Sequence, residues 1–266
     1  MSTTPRPSPP PLRSPGQGRG DLGTSAQPEW IQVFLDTPAD AFEEAVTFWS
    51  AVTGWTPSER RGEQGQFLTL LPAAGAAYLK MQAVDGPAGV HLDLDSADRP
   101  VTVARALELG ATAAWTYRDV EVMRSPGGLV FCHTLVDGEP SLVRDGSTVL
   151  DQVCLDIPAA HWETEVTFWS GITGRGPQEG ALPQFVRLVE YGMLRLLLQR
   201  LDEPDGPVRA HPDLATADRA ADAREHVRLG ARLEQVFDHW TVLTAPGGQV
   251  YCLTDRDPAT GRAAGV

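Results

Sequence analysis

Val46-Thr47-Phe48-Trp49-Ser50 recurs unchanged as Val166-Thr167-Phe168-Trp169-Ser170, 120 residues further along the chain. At the same spacing Gln32 meets Gln152, Asp36 meets Asp156, and Thr53-Gly54 meets Thr173-Gly174. Downstream, His91-Leu92-Asp93-Leu94 answers to His211-Pro212-Asp213-Leu214, and Leu109-Gly110-Ala111 to Leu229-Gly230-Ala231. Pro126-Gly127-Gly128 returns as Pro246-Gly247-Gly248, and Cys132 as Cys252. Between these anchors the register slips by a few residues and recovers, as insertions in surface loops do. A period this long means a duplicated domain, not a solenoid. Gly, Pro, Ser and Asp gather over residues 137–146. The expected division is therefore one domain over 29–138 and a second over 147–256.

Each copy has an inner rhythm. Trp30 to Thr37 reads as a strand, and a helix follows to Gly54, with Phe42, Val46 and Trp49 on one face. Asp40 and Glu43 have the spacing of a capping box, and Gly54 suits the helix end. Strand-like runs come near Thr56, over 66–71 and over 77–84. The pattern then restarts with a strand over 90–95, a helix over 99–109 capped by Asp98 and closed by Gly110, and three more strands. The predicted fold class is α+β, with four βαβββ modules, two per domain. Trp49, Trp169, Phe42 and Trp162 are expected core anchors. Trp55, Trp115 and Trp240 lack that period and are candidates for a pocket or interface. His133, His161, His226 and His239 have no partner across the repeat and are expected at the surface. Pro-Gly-Gly has neither the spacing nor the lysine of a phosphate loop, and reads as a hairpin turn.

Composition narrows the function classes. The chain has 266 residues, 42% of them hydrophobic, and a formal net charge of -13. That charge excludes a general nucleic-acid-binding role, which needs a basic face. No run approaches the roughly 20 apolar residues of a membrane span, and no apolar signal core opens the sequence. Three cysteines without framework spacing suit a reducing compartment, so a cytoplasmic protein is expected. Residues 1–28 hold seven prolines and four glycines, and are expected to be a disordered tail.

The opening strand Ile31–Asp36, the helix ending Phe48–Trp55, the stretch His91–Asp98 and the turn Pro126–Cys132 together resemble the vicinal oxygen chelate superfamily. The likeness is to its glyoxalase-like and bleomycin-resistance-like domains. The resemblance implies two tandem domains, each an open-sided curved sheet around a cavity that takes a small molecule, often at a divalent metal. Single-copy relatives dimerise, so the tandem implies a monomer acting as a pseudo-dimer.

Carried over position by position, the family's ligand places fall on Gln32, Gln82, His91 and Cys132, and on Gln152, Gln199, His211 and Cys252. Neither set holds a carboxylate, which leaves a hard divalent ion without charge balance. A glyoxalase-type isomerase also needs a carboxylate base, and the ring-cleaving branch needs two histidines and a carboxylate on iron. The expectation is a binding protein with no metal and no other cofactor, its ligand held by those eight residues. The competing class is an enzyme, either a lyase or isomerase of glyoxalase type or another enzyme of the superfamily. A zinc site on His91 and Cys132, or a nucleophilic Cys–His pair, are the sharper alternatives at the same positions.

Overall fold

The computed structural model describes residues 27–135, 142, 144, 146, 148–189 and 194–263. All of the expected disordered tail but Gln27 and Pro28, and most of the expected domain boundary, lie outside these residues; Pro28 is buried. Module 1 comprises β1 (Trp30–Pro38), α1 (Phe42–Thr53), β2 (Thr56–Pro57), β3 (Phe67–Leu71) and β4 (Leu79–Val84). Module 2 comprises β5 (Gly89–Ser96), α2 (Arg99–Glu108), β6 (Thr112–Tyr117), β7 (Val120–Arg124) and β8 (Val130–Leu135). Domain 2 repeats the order. Its third module has β9 (Thr148–Ile157), α3 (Trp162–Thr173), β10 (Pro177–Glu179), β11 (Phe185–Leu188) and β12 (Arg195–Arg200). Its fourth has β13 (Arg209–Thr216), α4 (Arg219–Arg228), β14 (Arg232–Val236), β15 (Trp240–Thr244) and β16 (Val250–Thr254). The α+β architecture of two tandem domains is the one the repeat predicts.

Each domain is one eight-stranded sheet, ordered β2-β3-β4-β1-β5-β8-β7-β6 and β10-β11-β12-β9-β13-β16-β15-β14. The central pairs β1·β5 and β9·β13 are antiparallel, and each first strand pairs in parallel with the last strand of its module. The sheets curl hard. Phe67 on β3 and Tyr117 on β6 lie six strand steps apart, about 29 Å on a flat sheet, yet their rings approach to 5.5 Å. Phe185 on β11 and Trp240 on β15 meet likewise at 6.0 Å. The edge strands do not pair with each other, so each sheet stays open-sided, with aromatic rings across its mouth.

Strand alternation sorts the residues. Ile31, Val33 and Leu35 face the convex side and are fully buried, while Gln32, Phe34 and Asp36 face the concave side. The convex side carries the helices, and here the repeated motif has its use. Phe48 and Trp49 of α1 pack on Tyr251 of β16, at 6.0 and 5.2 Å between centroids. Phe168 and Trp169 of α3 pack on Phe131 of β8, at 5.6 and 5.8 Å. Each domain's first helix thus lies on the other domain's last strand. Trp49, Trp169 and Phe42 are core residues as expected, in a core the two domains share.

Three expectations need correction. Asp40 caps nothing: a turn closed by Ala41 N–H on Pro38 O comes first, α1 begins at Phe42, and Glu43 pairs with Arg60 instead. His133 and His226 are buried, His133 edge-on against Phe131 and His226 bonded to the Tyr251 hydroxyl at 2.9 Å. Trp55 belongs to the core beside Tyr78, whereas Trp115 is half exposed. Asp98 does cap α2, accepting from Val101 N–H, and Gly54 ends α1 at φ 71°. No helix among the described residues is long and apolar enough to cross a membrane.

Candidate functional site

The concave face of domain 1 centres on His91. Its Nδ1 lies 2.8 Å from Asp36 Oδ2 on the neighbouring β1, and its Nε2 faces Asp93 Oδ1 at 3.9 Å. Cys132 on β8 completes a group of possible donors with His91 and Asp93. Gln32 donates its amide to Asp95, which also accepts from Thr134. Domain 2 repeats the centre more tightly. His211 Nδ1 lies 2.8 Å from Asp156, its Nε2 3.4 Å from Asp213 and 3.5 Å from Cys252 Sγ. Gln152 donates to Asp213 at 2.6 Å. Gln199 lies 3.6 Å from the Cys154 thiol, and Gln82 stands on the concave face opposite Asp36 and Phe67.

All eight residues expected from the family positions therefore lie on the two concave faces, but the histidines bond to aspartates, not to the glutamines. The family's ligand places themselves hold no carboxylate, but aspartates at neighbouring positions stand beside the histidines. Asp36 and Asp93 face His91, and Asp156 and Asp213 face His211, each from the strand alternation that aims the histidine inward. The His-x-Asp spacing on β5 and β13 puts Asp93 and Asp213 on the histidine's own strand face. The cross-strand partner depends on register, which local sequence does not carry.

These neighbours decide the protonation. Burial works against a proton on His91, but Asp36 at its Nδ1, with Asp93 beyond, outweighs it and holds the imidazole above its ordinary range. Burial likewise opposes the proton on His211, and Asp156 at its Nδ1 outweighs it, holding the imidazole above its ordinary range. Burial pushes the thiols of Cys132, Cys154 and Cys252 well up. They stay protonated at neutral pH, which removes the nucleophilic Cys–His pair. Each centre is a carboxylate–imidazole–carboxylate row that favours a proton on the ring.

A metal has to be weighed against that row. One imidazole per centre does not make the two-histidine, one-carboxylate set of non-haem iron. The mixed donors His Nε2, Cys Sγ and Asp Oδ1 are a set zinc accepts. Asp93 Oδ1 and Asp213 Oδ1 are buried without a hydrogen bond and face that Nε2. Yet zinc would have to displace the imidazolium proton and ionise a thiol that burial keeps protonated. The proton already supplies the charge that the orphaned oxygens face.

The two centres differ in what covers the ring. Phe34 stacks on His91 at 4.6 Å and 10° between planes, with the Lys80 ammonium 5.4 Å above Phe34. Cys154 and Leu197 occupy those two register positions in domain 2. Among the described residues no aromatic ring stacks on His211. Phe185, Phe237 and Trp240 stand instead at the mouth, Phe237 stacked on Trp240 at 4.7 Å.

A family model for a glyoxalase-like domain matches residues 32–134 and again 152–254. No curated protein sequence matches the chain. Among solved structures, a triple mutant of 4-hydroxymandelate synthase from Streptomyces coelicolor superposes with a TM-score of 0.59 at 13% identity, over 85% of this chain and 92% of that one. A 2,2',3-trihydroxybiphenyl 1,2-dioxygenase from Sphingomonas wittichii gives 0.56 at 14% identity, over 86% and 89%. A xylose isomerase-like TIM barrel/4-hydroxyphenylpyruvate dioxygenase fusion protein gives 0.58 at 11% identity over 86% of this chain, which spans 48% of that protein's length. At such identities the likeness is one of fold.

Proposed function

Given that the chain belongs to the family of glyoxalase-like domains, within the vicinal oxygen chelate superfamily, we propose that it binds a small planar organic molecule on the concave face of domain 2. The binding centre is the proton-loaded His211–Asp156–Asp213 row, with no divalent metal. Phe34 carries this reading. In domain 1 a planar ring from the chain itself stacks on the histidine, and in domain 2 the same position holds only Cys154. A planar ligand takes on His211 the stacking role that Phe34 has on His91. The imidazolium, Gln152 and Gln199 offer polar partners at its edge, and Phe185 and Trp240 offer apolar cover, the usual make-up of a small-molecule site. Domain 1 is the supporting copy, its centre filled by its own side chain.

The interlocked helices bury the faces through which a second chain would dock, so a monomer acting as a pseudo-dimer is part of the proposal. Sedimentation should give the mass of one chain.

Thermal shift across a panel of planar compounds, on protein stripped with a chelator, tests the binding reading. A ligand at a hundred times its dissociation constant adds about 2.7 kcal/mol of stability. The expected result is stabilisation by planar compounds and an unchanged melting temperature on chelation. One equivalent of zinc per domain, retained through dialysis and lost in Cys132→Ala or Cys252→Ala, would overturn the metal-free centre.

A further inference from the structure

One end of the concave face of domain 2 is built differently from its twin. In β1 the pairing with β5 runs without a break, Gln32 opposite Asp93 and Ile31 opposite Leu94. In β9 Gln152 opposes Asp213 but Leu150 opposes Leu214, so Asp151 is the extra residue of a bulge. Bulges re-aim side chains, often beside functional sites. Asp151 is completely buried and takes Arg195 at 3.0 Å, Arg144 at 3.4 Å, and Arg256. The next carboxylate, Asp213, is 4.0 Å from Arg256 and already serves Gln152 and His211. Domain 1 has none of this: Tyr78 stands at the register position of Arg195 and packs between Trp30 and Trp55.

Among the described residues, three guanidiniums thus share one full carboxylate. Arg187 adds its charge to the field at Arg195. The remaining N–H groups reach backbone carbonyls near the chain's end, Arg144 to Pro258 O at 2.8 Å and Arg195 to Gly261 O. Arg256 Nε is buried with no partner. Partly buried cations in excess of anions are costly, and a guanidinium fork matches a planar carboxylate in two parallel bonds.

We propose that Arg195 and Arg256, set by the Asp151 bulge, anchor a carboxylate on the ligand, so that domain 2 takes planar carboxylates. This rests on the planar-ligand reading of the same cavity. The spacing agrees with it. Arg195 sits level with Gln152 and Asp213, and His211 level with Cys154, two residues or about 6.6 Å along the strands. A carboxylate attached directly to a ring stacked on His211 covers that distance with one hydrogen bond. The carboxylate displaces the Gly261 carbonyl from Arg195 and uses the unpartnered N–H of Arg256.

Calorimetric titration of the full chain with benzoate and with benzamide tests this, because the two share a ring and differ in charge. Benzoate should bind about tenfold or more tightly than benzamide, the size expected of charge-assisted hydrogen bonds. Arg195→Gln should bring the two together by weakening benzoate alone. Asp151→Asn, which removes the competing carboxylate, should tighten benzoate, and a folded Arg195→Gln decides the case if that variant unfolds. Equal binding of both probes would overturn the carboxylate anchor and leave the planar cavity standing. Binding of neither would overturn the cavity reading itself.

Discussion

His211 and His133 sit in one fold with opposite protonation, and their neighbours explain it. His211 holds its proton between Asp156 and Asp213, whereas burial alone, with no partner for either ring nitrogen, pushes His133 down to about 4. A group whose folded pKa is raised stabilises fully below its unfolded value of 6.5 and loses that stability as pH climbs through the folded value. A histidine whose pKa is depressed stabilises fully above 6.5 and loses it as pH falls toward 4. Stability should therefore peak near neutral pH. The acid limb from His133 is worth about 3 kcal/mol at 1.36 kcal/mol per pKa unit. Urea midpoints from pH 4 to 9 check this: His133→Leu should flatten the acid limb and His211→Gln the alkaline one. Limbs unmoved by either variant would contradict the assignment. The sequence carried part of this centre, since His91 and His211 stand two residues before an aspartate on the same strand face. Asp36 and Asp156 repeat too, but their pairing with the histidines arises from the β1·β5 and β9·β13 register. The Asp151 bulge involves no insertion: Asp151 stands where the first copy has Ile31, and the shift of β9 against β13 there is a matter of register, which local sequence does not carry.

At the scale of elements, the Pro-Gly-Gly turns do more than reverse the chain. Gly127 N–H donates to Glu165 Oε1 of α3 at 2.6 Å, and Gly127 O accepts from Val208 N–H at 3.0 Å. A Cβ on Gly127 would come within 2.4 Å of Val208, and one on Gly247 within 2.7 Å of Ala45. The turns are glycine because the other domain lies against them. A single sequence shows the turn and not what it touches. Glu165 is completely buried, its second oxygen held by Trp169 Nε1 at 2.7 Å. Its counterpart in the first copy is Ala45, and there Trp49 Nε1 lacks a partner. Glu165→Ala should cost about 2–4 kcal/mol, since it strands a buried backbone N–H and an indole N–H. Ala45→Gly, at the twin position, strands no polar group and should cost about 1 kcal/mol. Chemical denaturation of the two variants checks the pair, and equal losses would contradict the asymmetry.

The whole molecule is an exchange: α1 lies on β16 and α3 on β8. Neither curved sheet completes its convex cover with its own helices. Unfolding should then be one cooperative transition. Trp49→Ala should cost about 3–5 kcal/mol and open both sheets together, as read by amide hydrogen exchange in β5 and β13. Independent exchange of the two sheets would contradict the shared core. The repeat, the module order and the aromatic helix face were legible because they are local patterns copied twice. Which domain's strand the helix covers was not, because both copies offer the same apolar face.

The account's central claim is that domain 2 holds a planar ligand on a protonated His211 without a metal. Fluorescence of Trp240 at the mouth, followed during titration with benzoate in chelator, tests it most directly, with Trp240→Phe identifying the signal. The account predicts saturable binding that persists in chelator, survives His91→Gln and falls by about tenfold or more in His211→Gln. Binding that needs added zinc, or that follows His91 and ignores His211, would contradict it.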